Sequence, residues 1–323
     1  MAAETLAVLP FYDETAVARA LSPATALQAV RRCLVAAAQG EATLFPVVRE
    51  TLPSLRAVFG IKSACDAGAN LLGLKAGGYW SGNEAFGLTN HQSIVLLFDP
   101  ATGRARALLE GNRLTALRTA AAAAASIDAL ARRDAKVLGI VGTGRQAPWH
   151  IDAALAVRRF ERIVVWNRHE ERAQALAAAR VGHRPALEVL PLEAVCRESD
   201  VLITLQSSFE PVVRREWIRP GAHIAAMGTD TRGKQELDPA LVAAARVATD
   251  DVAQALSIGE CQHAHAAGLL HQTQLTHLGD VITGRVPGRR SGEDITLYDG
   301  TGTALQDLAC AALVLGGEKA LAC

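Results

Sequence analysis

The stretch that most constrains this chain is Lys136 to His150, KVLGIVGTGRQAPWH. It reads as an apolar strand, a glycine turn and the start of a helix. Gly142-Thr143-Gly144-Arg145-Gln146-Ala147 has the spacing G-x-G-x-x-A. The first glycine permits a tight turn, and the second lets the backbone approach a pyrophosphate. The small Ala147 lets helix pack on strand, and the helix N-terminal N–H groups face the phosphates. The spacing alone is a weak signal. Here it follows a strand, opens a helix and heads a series of strand–helix units, which is the context a dinucleotide turn requires.

That series runs through residues 136–251. Strand-like runs are KVLGIVG, RIVVWNR, ALEVL, DVLITLQ, AHIAAMG and RVATDD, separated by stretches of helical spacing such as HEERAQALAAA. Short apolar runs alternating with helices predict a parallel sheet covered on both faces, the doubly wound arrangement. Residues 1–120 read differently. DETAVARAL and ATALQAVRRCLVAAAQG are helical, the second ending at Gly40. SIVLLF, DPATG and RARALLE form a hairpin, with Asp-Pro and Gly103 in the turn. This half reads as α+β and antiparallel. The last segment, DITLYDGTGTALQDLACAALVLGG, is a strand, a glycine turn and an apolar helix expected to return to the N-terminal half. The expected fold class is therefore α/β. A Rossmann domain, a doubly wound parallel sheet over residues 121–302 that binds NAD(P), is joined to a discontinuous α+β domain, residues 1–120 plus 303–323, that would hold the substrate.

Composition narrows the function classes. Basic and acidic residues balance, 33 against 33, and aromatics make up only 4%. Neither a nucleic-acid surface nor an anionic membrane is indicated as a partner. The six cysteines contain no C-x-x-C pair, so buried free thiols in a reducing compartment are the expectation. The N-terminus lacks a basic region followed by a long apolar run, and no segment is apolar enough to span a bilayer. The reading is a cytoplasmic protein.

Several polar residues stand where chemistry is expected. The second strand of the series ends Trp166-Asn167-Arg168, with no acid to accept from a ribose 2′-OH. Asn167 can still bond a ribose and Arg168 can pair a 2′-phosphate. This ending favours NADP(H) and leaves NAD(H) possible. Lys75 lies in an apolar strand running into glycines, where a lysine either snorkels or holds a carboxylate. Arg49, after LFPVV, poses the same choice. Arg118 lies in a small-residue helix just before the glycine-turn strand. Asp230, past the carboxyl end of AHIAAMG, can exchange a proton with substrate or cap a turn. His263, His265, His271 and His277 lack metal-ligand spacing and read as a surface-helix cluster, so no metal is assigned. His91 is a lone histidine of the kind more often structural, though it falls close to the expected nicotinamide.

These segments together resemble the ornithine cyclodeaminase/μ-crystallin family. The resemblance is carried by GLKAGGYWSGN, TNHQSIVLLFDPATGRARALLEGNRLTALRTAAAAA, GIVGTGRQA, VVWNR, MGTDTRGKQELDP and YDGTGTALQD, in order across nearly the whole chain. It implies homodimers through the N-terminal domain and NAD or NADP on the Rossmann domain. It implies that Arg49, Lys75 and Arg118 hold the substrate α-carboxylate, with Arg118 also near cofactor phosphate and Thr119 beside it. Asn90 falls on the nicotinamide side. Gly142, Gly144, Arg145, Gln146 and Ala147 form the phosphate turn, and Asn167 and Arg168 the ribose end. Thr204, Lys234, Gly300 and Thr301 line the cofactor, and Asp230 matches the catalytic acid/base.

One departure bears on substrate. By spacing from Lys75, Lys62 stands where the cyclodeaminases carry a substrate-side glutamate, and a lysine there repels the δ-ammonium of ornithine. The implied chemistry is hydride exchange at the α-carbon of a small amino acid or its cyclic imine, as dehydrogenase or ketimine/pyrroline-2-carboxylate reductase. Ornithine cyclodeaminase is the alternative. A non-catalytic NADPH-dependent binding protein is a third, against which the retained Asp230 argues.

Overall fold

The computed structural model describes residues 8–316. They divide into two compact units: residues up to Arg118 together with those from Thr303 onward, and Thr119–Gly302. No described helix is long and apolar enough to cross a membrane.

The first unit is built on a seven-stranded sheet. Its strands are β1 (Phe11–Tyr12), β2 (Thr43–Leu44), β3 (Val48–Leu52), β4 (Ala57–Asp66), β5 (Leu71–Trp80), β6 (His91–Phe98) and β7 (Ala105–Glu110). The order is β1-β7-β6-β5-β4-β2, with β3 also paired to β4. The β6–β7 hairpin forms as expected: Asp99 accepts from the N–H groups of Ala101 and Thr102, and Gly103 takes a left-handed φ of 72°. The sheet is not wholly antiparallel, because β1 runs parallel to β7, Phe11 opposite Leu108. Nearly the whole unit lies between these two strands in sequence, so no hairpin forces them to oppose. Helix α1 (Glu14–Ala20) is capped by Asp13, and α2 (Pro23–Gln39) by a Ser22–Thr25 capping box, with Gly40 left-handed at its end. Helix α3 (Asn112–Leu130) begins in this unit and continues into the second.

The second unit carries an eight-stranded sheet in which every pair is parallel. Its strands are β8 (Val137–Val141), β9 (Arg162–Trp166), β10 (Leu187–Val189), β11 (Val201–Thr204), β12 (His223–Ala226), β13 (Arg246–Thr249), β14 (Leu275–His277) and β15 (Thr296–Asp299). The order β10-β9-β8-β11-β12-β15-β13-β14 reverses at β8 and β11, the switch point where ligands bind such sheets. Helices α4 (Ala147–Val157), α5 (Glu170–Ala179), α6 (Leu192–Glu198), α7 (Pro239–Ala244), α8 (Val252–Ser257), α9 (Gln262–Ala266) and α10 (Leu278–Ile282) connect the strands. Leu138, Ile140, Ile163, Val165, Val201 and Ile203 are buried in the core on one face of the sheet. The histidine-rich segment is not one surface helix. Helix α9 holds only His263 and His265, Gly268 breaks the chain with a φ of 70°, and His277 lies in β14.

The chain then returns to the first unit as α11 (Ala304–Gly316), which packs on α2 and on β4, β5 and β6. Gly73 makes this possible. A Cβ there would come within 2.8 Å of Leu308 and 2.3 Å of the Leu96 carbonyl. Along β4 the buried positions alternate as Gly60, Lys62, Ala64 and Asp66, so Lys62 lies on the covered face of the sheet.

Candidate active site

The covered face of the first unit's sheet is where the cations gather. Lys75 on β5 stands directly opposite Lys62 on β4, and Arg49 on β3 stands opposite Gly60. Paired residues share a face, so all three side chains lie on one side. The glycine is needed: a Cβ on Gly60 would meet the Arg49 Cδ at 3.1 Å and the Val48 carbonyl at 2.6 Å. Lys62 and Arg118 are 7% and 6% exposed. Asp307 on α11 is fully buried between two of these cations, its Oδ1 accepting from Lys75 Nζ at 3.0 Å and Arg118 Nε at 2.9 Å. Gln306 accepts from Arg118 Nη1 at 3.2 Å. Burial alone would push the Asp307 carboxyl up, but Arg118 and Lys75 outweigh it and hold it below its usual range. Burial, then Arg118, pulls Lys75 down from 10.5 to about 7, with Lys62 adding to the fall and Asp307 opposing it. A charged, forked guanidinium beside a lysine of this kind is an anchor for a carboxylate.

His91 begins β6 on the same face. Burial and the Lys75 ammonium lower it to about 4, so it is neutral at physiological pH. Its Nδ1 lies 3.0 Å from Asn112 Oδ1, which also accepts from the Ser93 N–H. Asn112 therefore takes the Nδ1 proton as acceptor and leaves Nε2 as a lone pair. Asn90 donates to the Tyr79 hydroxyl at 3.2 Å, while its Oδ1 is buried without a partner among the described residues.

In the second unit the glycine turn links β8 to α4. Gly142 has a φ of 110°, and a Cβ there would come within 2.8 Å of Gln206 Nε2 and 3.1 Å of the Leu205 backbone. Gly144 has nothing within 4 Å of its would-be Cβ. Its glycine answers to no protein neighbour, as expected where a ligand's phosphates approach. No side chain caps α4, and Thr143 Oγ1 and Gln146 Oε1 are buried without partners among the described residues. Ala147 is fully buried against the sheet and Arg145 is exposed. These groups fit a dinucleotide pyrophosphate. Asn167 turns its Oδ1 back to accept from the His169 N–H at 2.9 Å, and Arg168 is exposed with no ion pair among the described residues.

The loop after β12 carries Asp230, whose Oδ1 accepts from Lys234 Nζ at 2.9 Å and from the Thr231 hydroxyl at 3.1 Å. Two buried glutamates hold this loop at both ends. Glu236 accepts from the N–H groups of Gln206 and Gly228 and from the Thr204 hydroxyl. Glu260 accepts from the Thr229 hydroxyl and the N–H groups of Glu236 and Leu237. Burial, then the Glu260 charge, pushes Glu236 up to about 8. Thr204 thus serves Glu236, and Lys234 serves Asp230. Asp250 fixes the late turn by accepting from Thr301 and Gly302, and Gly300 leaves room for Met227, whose Sδ would lie 2.6 Å from a Cβ. Thr119 lies in α3, one residue past Arg118.

Residues 11–320 match the profile of the ornithine cyclodeaminase/mu-crystallin family. The chain belongs to that family. It is 49% identical over 302 residues, 94% of each chain, to the iminosuccinate reductase of Paracoccus denitrificans (strain Pd 1222). The crystal structure of that enzyme in complex with NAD+ superposes with a TM-score of 0.88 at 48% identity, covering 96% of both chains. An archaeal alanine dehydrogenase dimer with bound NAD gives a TM-score of 0.90 at 31% identity, over 96% of this chain and 95% of the other. The Thermococcus litoralis Delta(1)-pyrroline-2-carboxylate reductase with NADH and L-proline gives 0.89 at 26% identity, over 95% and 96%.

Within this family member the structure brings Arg49, Lys62 and Lys75 onto one sheet face, with Arg118 bound to the same carboxylate as Lys75. It sets the glycine turn and the Asp230 loop in the second unit. Sequence reasoning missed Asp307, Asn112, Glu236 and Glu260. Asp307 had a signal, as the one acid in the apolar run ALQDLACAALVLGG. The glutamates had none, since each reads locally as a surface acid.

Proposed function

We propose that this protein is an NAD(P)-dependent reductase of a short α-imino acid, working in reverse as an amino acid dehydrogenase. The observation that carries the reading is the buried Lys75–Asp307–Arg118 arrangement, a carboxylate anchor, in a chain that also carries the open Gly144 turn and Asp230. Two reductases it resembles act on iminosuccinate and pyrroline-2-carboxylate by name, and both are imines beside a carboxylate.

Arg49, Lys75 and Arg118 bind the substrate α-carboxylate and so fix the direction of the neighbouring imine carbon. A bound nicotinamide would supply or take up the hydride. Asp230, paired with Lys234, places a carboxylate that favours the protonated imine, the better hydride acceptor. After reduction the amine takes up a proton and leaves as an ammonium; in reverse, Asp230 receives that proton. NAD(H) is proposed as the principal cofactor, since the solved relatives hold it. Exposed Arg168 supports NADPH use as well, and an Arg168→Ala variant should then raise the KM for NADPH about tenfold or more while sparing that for NADH. A homodimer is proposed through the sheet face opposite the cations, where Val48 and Ile94 are 46% and 43% exposed. The five described cysteines are free thiols, which supports a cytoplasmic setting.

The test is turnover by purified protein. NADH or NADPH is followed with oxaloacetate plus ammonia, with pyruvate plus ammonia, and with Delta(1)-pyrroline-2-carboxylate. Stoichiometric cofactor oxidation with ornithine inert supports the reading. Proline and ammonia from L-ornithine with no net cofactor change would establish the cyclodeaminase instead.

A further inference from the structure

Two lysines directly opposite each other on an antiparallel pair carry Cβ atoms about 4.5–5.5 Å apart, and like charges so placed are destabilising. Lys62 and Lys75 are such a pair, and Lys62 is 7% exposed. Burying a second ammonium there raises the cost further. Arg49 lies over Gly60 on the same face, two residues from Lys62. One monocarboxylate calls for a guanidinium and one lysine, which Arg118 and Lys75 supply. Two facing lysines with two arginines nearby match a ligand with two separate carboxylates.

We propose that Lys62 is the specificity-determining residue for a dicarboxylic imino acid: Lys75 and Arg118 take the carboxylate beside the reacting carbon, and Lys62 takes the distal one. The inference rests on the reductase reading for its substrate, and it names the group that reads the second charge. The two lysines start from directly paired residues on neighbouring strands, a spacing that suits two carboxylates joined by a short carbon bridge. The same ammonium excludes substrates that carry a cationic side chain.

The experiment is calorimetric binding of succinate and of propionate to the wild-type protein and to Lys62→Met and Lys62→Arg variants. Wild type should prefer succinate by roughly 10- to 100-fold, the size of one charged hydrogen-bonded contact. In Lys62→Met the succinate-to-propionate ratio should collapse to near one, and Lys62→Arg should restore much of it. Absence of a preference in wild type overturns the proposal. So does a Met variant that keeps the ratio, including one that loses both ligands equally, which would make Lys62 part of the shared clamp. Binding does not depend on turnover. A protein that reduces no imine yet shows a Lys62-dependent ratio refutes the reductase reading and leaves this proposal standing.

Discussion

The Lys75 ammonium lies 3.0 Å from each carboxylate oxygen of Asp307, a residue 232 positions further along the chain. The same carboxylate accepts from Arg118. Asp307 is therefore the counter-charge that lets two buried cations stand close together. An Asp307→Asn variant leaves them uncompensated, at a cost of about 3–5 kcal/mol. The melting temperature should fall by about 10 °C. Succinate, filling the lost charge, should raise it more in the variant than in wild type. A variant melting within a degree of wild type would show that Asp307 has no such role.

The proposed role of Lys75 predicts a pH dependence of substrate binding. Its folded value near 7 lies below the ordinary 10.5, so between those values the unfolded chain holds the proton and the folded protein does not. Its contribution to stability thus rises with pH across that window, while its attraction for a carboxylate is lost as pH rises through 7. Bound carboxylate favours the charged form, so kcat/KM should decline above pH 7 while kcat stays flatter. In Lys75→Arg the decline should move beyond the alkaline range tested. An unchanged profile in that variant would assign the inflection to another group.

Gly142 and Gly144 should separate folding from binding. A side chain at Gly142 meets Gln206 and the Leu205 backbone and demands a left-handed φ, so Gly142→Ala should lose about 1–3 kcal/mol of stability. Gly144 faces open space, so Gly144→Ala should melt like wild type without cofactor and lose tenfold or more in NADH affinity. Thermal melts with and without NADH measure both. Intact NADH affinity in Gly144→Ala would remove this turn from the cofactor site.

Glu236 gives a second pH signature, of opposite sign. Its folded value near 8 lies above the ordinary 4.5, so the folded protein holds the proton longer, and stability falls as pH rises from 4.5 to 8. Glu236→Gln removes that slope. It also sets an amide N–H against a backbone donor at Gly228 or Gln206, which should loosen the Asp230 loop and lower kcat about tenfold or more. Stability curves at pH 5 and pH 8 test it. An undiminished slope in the variant would place the titration elsewhere.

Much of this was legible from local chemistry. The glycine turn, the β6–β7 hairpin and the Gly40 cap are written in residues close together, where φ requirements and periodicity act. Apart from β14, the strands of the second sheet were readable for the same reason, and their order was not. Where β15 inserts depends on packing between residues far apart in sequence. The histidine segment misled because helical composition persisted past Gly268, while β14 is made by pairing with β13. In the site, cations were visible as charges in apolar strands. Their partners were not: an acid reads as buried only when its own segment packs on a distant one, as α11 carries Asp307 onto the first sheet.

The return of α11 to the first sheet has a consequence for synthesis. At about 5–20 residues per second, the carboxylate that neutralises Lys75 is made roughly 10–50 s after the lysine. During that interval the contiguous second unit emerges whole and can complete its sheet, while the earlier-made sheet waits with its inner face open and with Lys75 and Arg118 lacking Asp307. A stop codon after Gly302 would leave a finished nucleotide-type fold tethered to an unfinished one. Damage to α11 would thus fall on the first strands made.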